Sequence, residues 1–278
     1  MKQAPGGAGT MNTASNESAG GRYWQTRGSG VAQCLNSEWA FIGACTLLFV
    51  IGAGVTVHGS MSMSMPSMRM PGQTWPGAAA AFLGMWLAMM AAMMMPSLVP
   101  MLWRYRRAVG AAGESRLAWL TGVVGVGYFS VWSAFGLGAF TLSVALATIG
   151  VLLPAAARAA PFALGLLLLL AGTLQFTAWK AHHLACCRRI PGHYGPVRAD
   201  AGTAWRHGLR YAVHCSYCCV GVTAVLLGLG AMDLRAMTMV TVAITLERLA
   251  PAGQRIARAI GAIVIAIGLF LLVKAAGL

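Results

Sequence analysis

Four donors crowd one short stretch. Between Tyr211 and Cys219 stand His214, Cys215, Cys218 and Cys219, which places three of the chain's seven cysteines beside a histidine. In a helix, at about 100° per residue, these four side chains fall within an arc of roughly 140°. His214 and Cys218 are one turn apart, as are Cys215 and Cys219, and His207 lies two turns before His214. One helix face thus offers soft and borderline donors and hardly a carboxylate. That set suits a thiophilic metal, copper as Cu(I) before zinc. A lone membrane-helix cysteine is ordinarily a small packing residue; four donors in this pattern, a histidine among them, point beyond packing.

A second stripe precedes it. His182, His183, Cys186 and Cys187 follow Trp179, and Gln175, His182 and Cys186 share a face if the helix runs on past Trp179. The connection to the next apolar run is short, so the two helix ends meet at one membrane face. Together they supply a Cys/His site between two helices, with Lys180 and Gln175 behind the ligands. Thioethers form a third set. Met85, Met89 and Met93 recur every fourth residue, and Met90 with Met94 repeats the step. Met61, Met63, Met65, Met68 and Met70 place five methionines in ten residues of a polar loop. Within a bundle methionine fills gaps, but a solvated loop has no packing use for five, and thioethers select Cu(I) over harder ions.

The elements that must position these donors are membrane helices. The 278 residues are 58% hydrophobic and only 9% charged, with a mean hydropathy of +0.69, where a soluble domain carries about 25% charged residues. The expected fold is all-α, a polytopic transmembrane helical bundle. A flexible, Gly- and Ser-rich cytosolic tail covers 1–38, and the helical domain covers 39–278, with the outer methionine loop at 58–72. The first apolar run starts too late for a cleavable signal. Spans are expected near 39–57, 77–99, 117–153, 161–179, 208–230, 234–246 and 256–275, seven in all. The 117–153 stretch reads as one long, tilted helix, with Gly125, Gly127, Gly136 and Gly138 admitting close neighbours.

The formal net charge of +14 reflects topology rather than nucleic acid, for which no motif is present. With the N-terminus inside, sixteen of the twenty basic residues fall on inner segments; only Arg69, Arg158, Arg235 and Lys274 are outside. The chain is therefore expected N-in and C-out in a bacterial inner membrane. The methionine loop then faces outward and the Cys/His clusters lie at the cytosolic leaflet, where thiols stay reduced.

Several segments resemble a known family. Trp86 to Ser97, with Met89-Met90, Met93-Met94-Met95 and Pro96, resembles the AMMxPS signature of the DUF2182 proteins, described as predicted metal-binding integral membrane proteins of bacteria. Gly127-Tyr128 to Trp132 is similar to its third-helix motif. Ala171 to Lys180, with Gln175 and Thr177, and Cys187-Arg188 are similar to its next two elements. His214-Cys215 with Cys218-Cys219, and Leu246-Glu247-Arg248, resemble its later ones. The likeness runs from about residue 77 to the C-terminus and implies a helical membrane protein that binds metal. His182, His183 and the methionine loop depart from the pattern, and both departures add donors.

The function expected on these grounds is Cu(I) binding, with transport across the membrane or delivery to a cuproprotein. The partners expected are the lipid bilayer, a cuproprotein or copper chaperone, and further copies of the chain as a homo-oligomer. No catalytic residue set is read. The main alternative is a membrane thiol–disulfide protein using Cys215 and Cys218 as a CxxC pair with Cys186/Cys187. A haem held by His207 or His214, and a plain assembly subunit, have thinner support.

Overall fold

The structure, a computed structural model, describes residues 14–62, 74–110, 113–152, 154–188, 198–230 and 233–276. Met63, Met65, Met68 and Met70 lie outside the described residues. The chain divides into two units, Met1–Ala44 and Cys45–Leu278. In the first, helical backbone begins at Ala14, within the stretch expected as a tail. The second is the helical bundle that carries the donors.

Eight helices and no strand occur among the described residues: α1 (Ala14–Ser62), α2 (Trp75–Val109), α3 (Glu114–Leu152), α4 (Pro154–Leu174), α5 (Ala178–Arg188), α6 (Ala201–Leu229), α7 (Leu234–Leu249) and α8 (Gly253–Ala275). Five segments are long and apolar enough to cross a membrane: Ser37–Met61, Trp75–Val109, Glu114–Gly150, Ala201–Leu229 and Gly253–Ala275. A sixth arises if the bent pair Ala159–Leu174 and Ala178–Arg188 is one crossing. A helix stands at each of the seven expected places, yet α7, with 16 residues, is about 24 Å long against a hydrocarbon core of about 30 Å. It ends at the charged pair Glu247–Arg248, beside the middle of α6.

Backbone contact through small residues sets the packing. A Cβ on Gly127 would stand 2.8 Å from the Trp205 carbonyl oxygen, and Gly208 meets the Val124 carbonyl from the other side. Thus α3 and α6 run parallel at close range. Helices α4 and α8 run antiparallel through two such pairs, Gly172 with Gly261 and Gly165 with Gly268. Of the four glycines expected to admit neighbours on α3, Gly127 and Gly136 do so, the latter against the Trp86 ring; Gly125 and Gly138 face open space. Helix α3 is continuous, as expected for the long apolar stretch.

The helix after Pro161 does not run on past Trp179. It breaks between Leu174 and Ala178, where Gln175, Phe176 and Thr177 donate to carbonyls three residues back, and the two arms meet at 63°. Two threonines flank the break. Thr173 and Thr177 hydroxyls donate to the Leu170 and Leu174 carbonyls, competing with the backbone. Thr177 Oγ1 then accepts from the Lys180 amide and starts the new helix. Gln175 therefore lies in the break while Cys186 stands on α5, and the two share no helix face. Asp200 starts α6 in the same way: its carboxylate accepts from the Thr203 amide at 2.8 Å and hydroxyl at 2.7 Å. These bonds hold its pKa below the usual carboxylate range, so the charged cap persists at neutral pH and is lost only as pH falls through that lowered value.

A buried thiol cluster around Arg248

The break in α4/α5, the middle of α6 and the end of α7 converge on one place. Cys187 from α5 faces Cys218 from α6, Sγ to Sγ at 3.9 Å. Cys219 Sγ is 3.7 Å from Cys218 Sγ, and all three residues are buried. Into this group α7 sends Arg248, whose Nη2 lies 3.1 Å from Cys218 Sγ, 3.4 Å from Cys219 Sγ and 4.0 Å from Cys187 Sγ. The same nitrogen donates to the Cys215 carbonyl. Nη1 donates to Ser97 Oγ on α2 at 3.0 Å, and Tyr211 Oη donates to the Ser97 carbonyl. Cys215 joins the group from its α3 side: its Sγ lies 3.0 Å from Tyr128 Oη on α3 and also pairs with the Cys219 thiol.

Beside the thiols Lys180 and Glu247 form a buried ion pair at 2.7 Å, their side chains 5% and 2% exposed. Lys180 Nζ also donates to the Cys218 carbonyl. A salt bridge this deep is weak evidence of stability, because desolvation offsets most of the attraction. Ionisable groups inside apolar bundles mark functional sites instead. Lys180, Glu247 and Arg248 together leave one net positive charge among the sulfurs. Arg188, at the end of α5, donates to the Ala250 carbonyl past the end of α7 and so ties the two elements that carry Cys187 and Arg248.

The histidines stand apart from this cluster. His183 and His214 pair with each other, Nδ1 to Nδ1 at 3.0 Å, one ring donating to the other. His182 Nε2 is 3.6 Å from Cys186 Sγ near the surface. His207 stacks on Tyr105 with ring centroids 5.2 Å apart, and its Nε2 is buried without a partner. Met89, Met90, Met93 and Met94 are buried in the core along α2, Met85 is half-buried, and Met61 is exposed at the end of α1. The link from α2 to the thiols runs through Ser97, one turn beyond Met93 and Met94.

The eight expected Cys and His donors other than His207 thus resolve into three places: the buried thiols with Cys215 at their Tyr128 side, the His183–His214 pair, and His182 with Cys186. Among the described residues no group of three or more His, Cys, Asp or Glu side chains is arranged to hold a metal ion; the donors come in close pairs. Sequence reasoning placed Lys180 behind the ligands but gave no site role to Arg248, Glu247, Tyr128 or Ser97. The available signal was charge, since Glu247 and Arg248 follow eleven apolar or hydroxylated residues on α7, Ala236–Leu246.

A family model described as copper chaperone, PpoB2, matches residues 83–271, well over half of the chain. That range takes in every element of the thiol cluster, from Ser97 to Arg248. No curated protein and no solved structure matches the chain. Of the likeness read from its motifs, a metal-handling family, the match supports a copper-related one. The chain belongs to the PpoB2 copper-chaperone family.

Proposed function

We propose that this chain is a multi-pass membrane protein that holds Cu(I) on the buried Cys187–Cys218 thiol pair, with Cys219 beside it, and passes it to a cuproprotein or through the bilayer. The observation that carries this reading is the convergence of three thiols from two helices on the Arg248 guanidinium. Metal–thiolate bonds of about 2.3 Å place two sulfurs on one ion roughly 3.8–4.6 Å apart, depending on the angle. The 3.9 Å between Cys187 and Cys218 Sγ falls inside that range, so the cross-helix pair fits one ion without moving either helix.

Charge favours copper over zinc. Cu(I) on two thiolates carries one negative charge, which cancels the net positive charge of Lys180, Glu247 and Arg248. Zn(II) on two thiolates is neutral and would leave that cation uncompensated in an apolar interior. Donors that come in pairs also suit Cu(I) better than the four-coordinate sites zinc prefers. Protein purified under reducing conditions is expected to carry copper in preference to zinc; elemental analysis that finds neither metal sinks the reading.

The membrane part of the proposal is an N-in, C-out chain in a bacterial inner membrane, with the Met61–Met70 segment collecting copper outside and the thiols receiving it. Its support is the clustering of Arg104, Arg106, Arg107, Arg116, Arg198, Arg206 and Arg210 at the shared end of α2, α3 and α6, marked by the half-exposed Trp103 and Trp205 and the exposed Trp119. In whole cells an impermeant thiol reagent is expected to reach Met61→Cys and not Ala199→Cys. The opposite pattern turns the chain over.

A further inference from the structure

Two donor pairs repeat, one helical turn apart, where α5 crosses α6. His183 faces His214 at 3.0 Å. Four residues further along both helices, Cys187 faces Cys218 at 3.9 Å. Both pairs are separated by 31 residues in sequence and lie about 6 Å apart along each helix. The imidazole pair is half-exposed and the thiol pair buried. Trp179 and Tyr217 flank His183, with ring centroids at 4.8 and 5.0 Å, and leave the pair's outer side towards His182 and Cys186.

We propose that His183 and His214 form a second, shallower Cu(I) station through which the ion enters and leaves the buried thiols, a ladder of two rungs. This rests on the copper reading above. A d10 ion content with as few as two donors can step between two-donor rungs without passing through a crowded intermediate. Neutral imidazoles hold Cu(I) less tightly than thiolates, so the outer rung captures and the inner one retains. In the step inward the two Cu–N bonds break as two Cu–S bonds form. The thiol protons leave through the vacated imidazoles, and copper stays monovalent throughout. At the outer rung the ion replaces the hydrogen now shared by the two Nδ1 atoms as the rings part from 3.0 Å to about 4 Å. His182 and Cys186 lie at the mouth of the ladder, where a donor protein would present its ion.

The test uses the full chain in nanodiscs under reducing conditions, with Cu(I)–glutathione as the copper source. The His183→Gln/His214→Gln variant is expected to keep thiol-site affinity within about threefold in competition with a Cu(I) chelator, while copper uptake slows at least about tenfold. His183→Cys/His214→Cys restores two soft donors and is expected to recover the rate. Unchanged uptake in the Gln variant overturns the ladder. So does a loss of equilibrium affinity beyond about tenfold with helicity intact, which would make the rungs one site. A third variant, Cys187→Ser/Cys218→Ser/Cys219→Ser, is expected to retain weakly held copper with nitrogen neighbours by X-ray absorption. Copper absent at excess Cu(I) overturns the outer station. Wild-type protein that takes no Cu(I) on sulfur refutes the copper reading itself, an outcome read separately from the variants.

Discussion

Cys187→Ser with Cys218→Ser is expected to lower Cu(I) affinity by a factor on the order of a thousand, about 4 kcal/mol. Both sulfurs of the only cross-helix thiol pair shown among the described residues are removed, and a hydroxyl is a poor ligand for a soft ion. Serine is smaller than cysteine by little and finds partners already present: Arg248 Nη2 donates at position 218, and the Cys215 carbonyl, 3.3 Å from Cys218 Sγ, accepts. The fold is therefore expected to survive, which circular dichroism of the purified variant checks. Cys215→Ser is the contrasting case. Its Sγ pairs with Tyr128 and Cys219, outside the cross-helix Cys187–Cys218 pair, so Cu(I) affinity is expected to stay within about threefold. Chelator competition on both variants decides which thiols hold the ion. If Cys215→Ser weakens binding as much as the double variant, the Cys215/Cys218 pair regains its place as the working unit.

The contrast shows what a helical wheel reads and what it omits. The wheel gathers His214, Cys215, Cys218 and Cys219 on one face of α6, and that face is indeed turned towards other helices. Which neighbour each side chain meets depends on the crossing of α5, and that crossing follows from the break at Gln175–Thr177. In the sequence that break is flanked by Thr173 and Thr177, hydroxyls of a kind that α3 also carries without breaking, with no proline or glycine inside the gap to announce it. A helix drawn straight through it aligns Gln175 with Cys186 and leaves Cys187 in a secondary pair. A helix bent by 63° puts Cys187 inside and Cys186 outside. Apolar runs, by contrast, were legible, because burial in an apolar medium demands helices of a known length. Helix α7, expected short at 234–246, is bounded by the Asp233 cap and by Pro251, and its last turn holds Glu247 and Arg248, whose partners are on α5, α6 and α2. Long-range partners of this kind leave no periodic trace.

Those partners set the largest expected effect. Glu247→Leu alone leaves the Lys180 ammonium buried beside Arg248 with no anion, and Lys180→Met alone leaves the Glu247 carboxylate buried, its Oε1 already without a partner. Each single change is expected to destabilise the fold by about 3–5 kcal/mol. The double variant Lys180→Met/Glu247→Leu removes both charges together, keeps the volume and the net charge around the thiols, and is expected to return to within about 1–2 kcal/mol of wild type. Its copper affinity should stay close to wild type as well, because Arg248 still supplies the positive charge that offsets a Cu(I) bis-thiolate. Arg248→Met is expected to behave in the opposite way. The neutral Lys180–Glu247 pair remains, the copper complex keeps an uncompensated negative charge, and affinity falls by a factor on the order of a hundred or more. Arg248→Lys restores the charge without the planar fork that reaches Ser97 and the sulfurs together, so partial recovery is expected. Denaturant unfolding of the single and double variants, paired with chelator competition, separates the two roles. Equal copper affinity in Arg248→Met and wild type would reduce Arg248 to a structural tie between α2, α6 and α7.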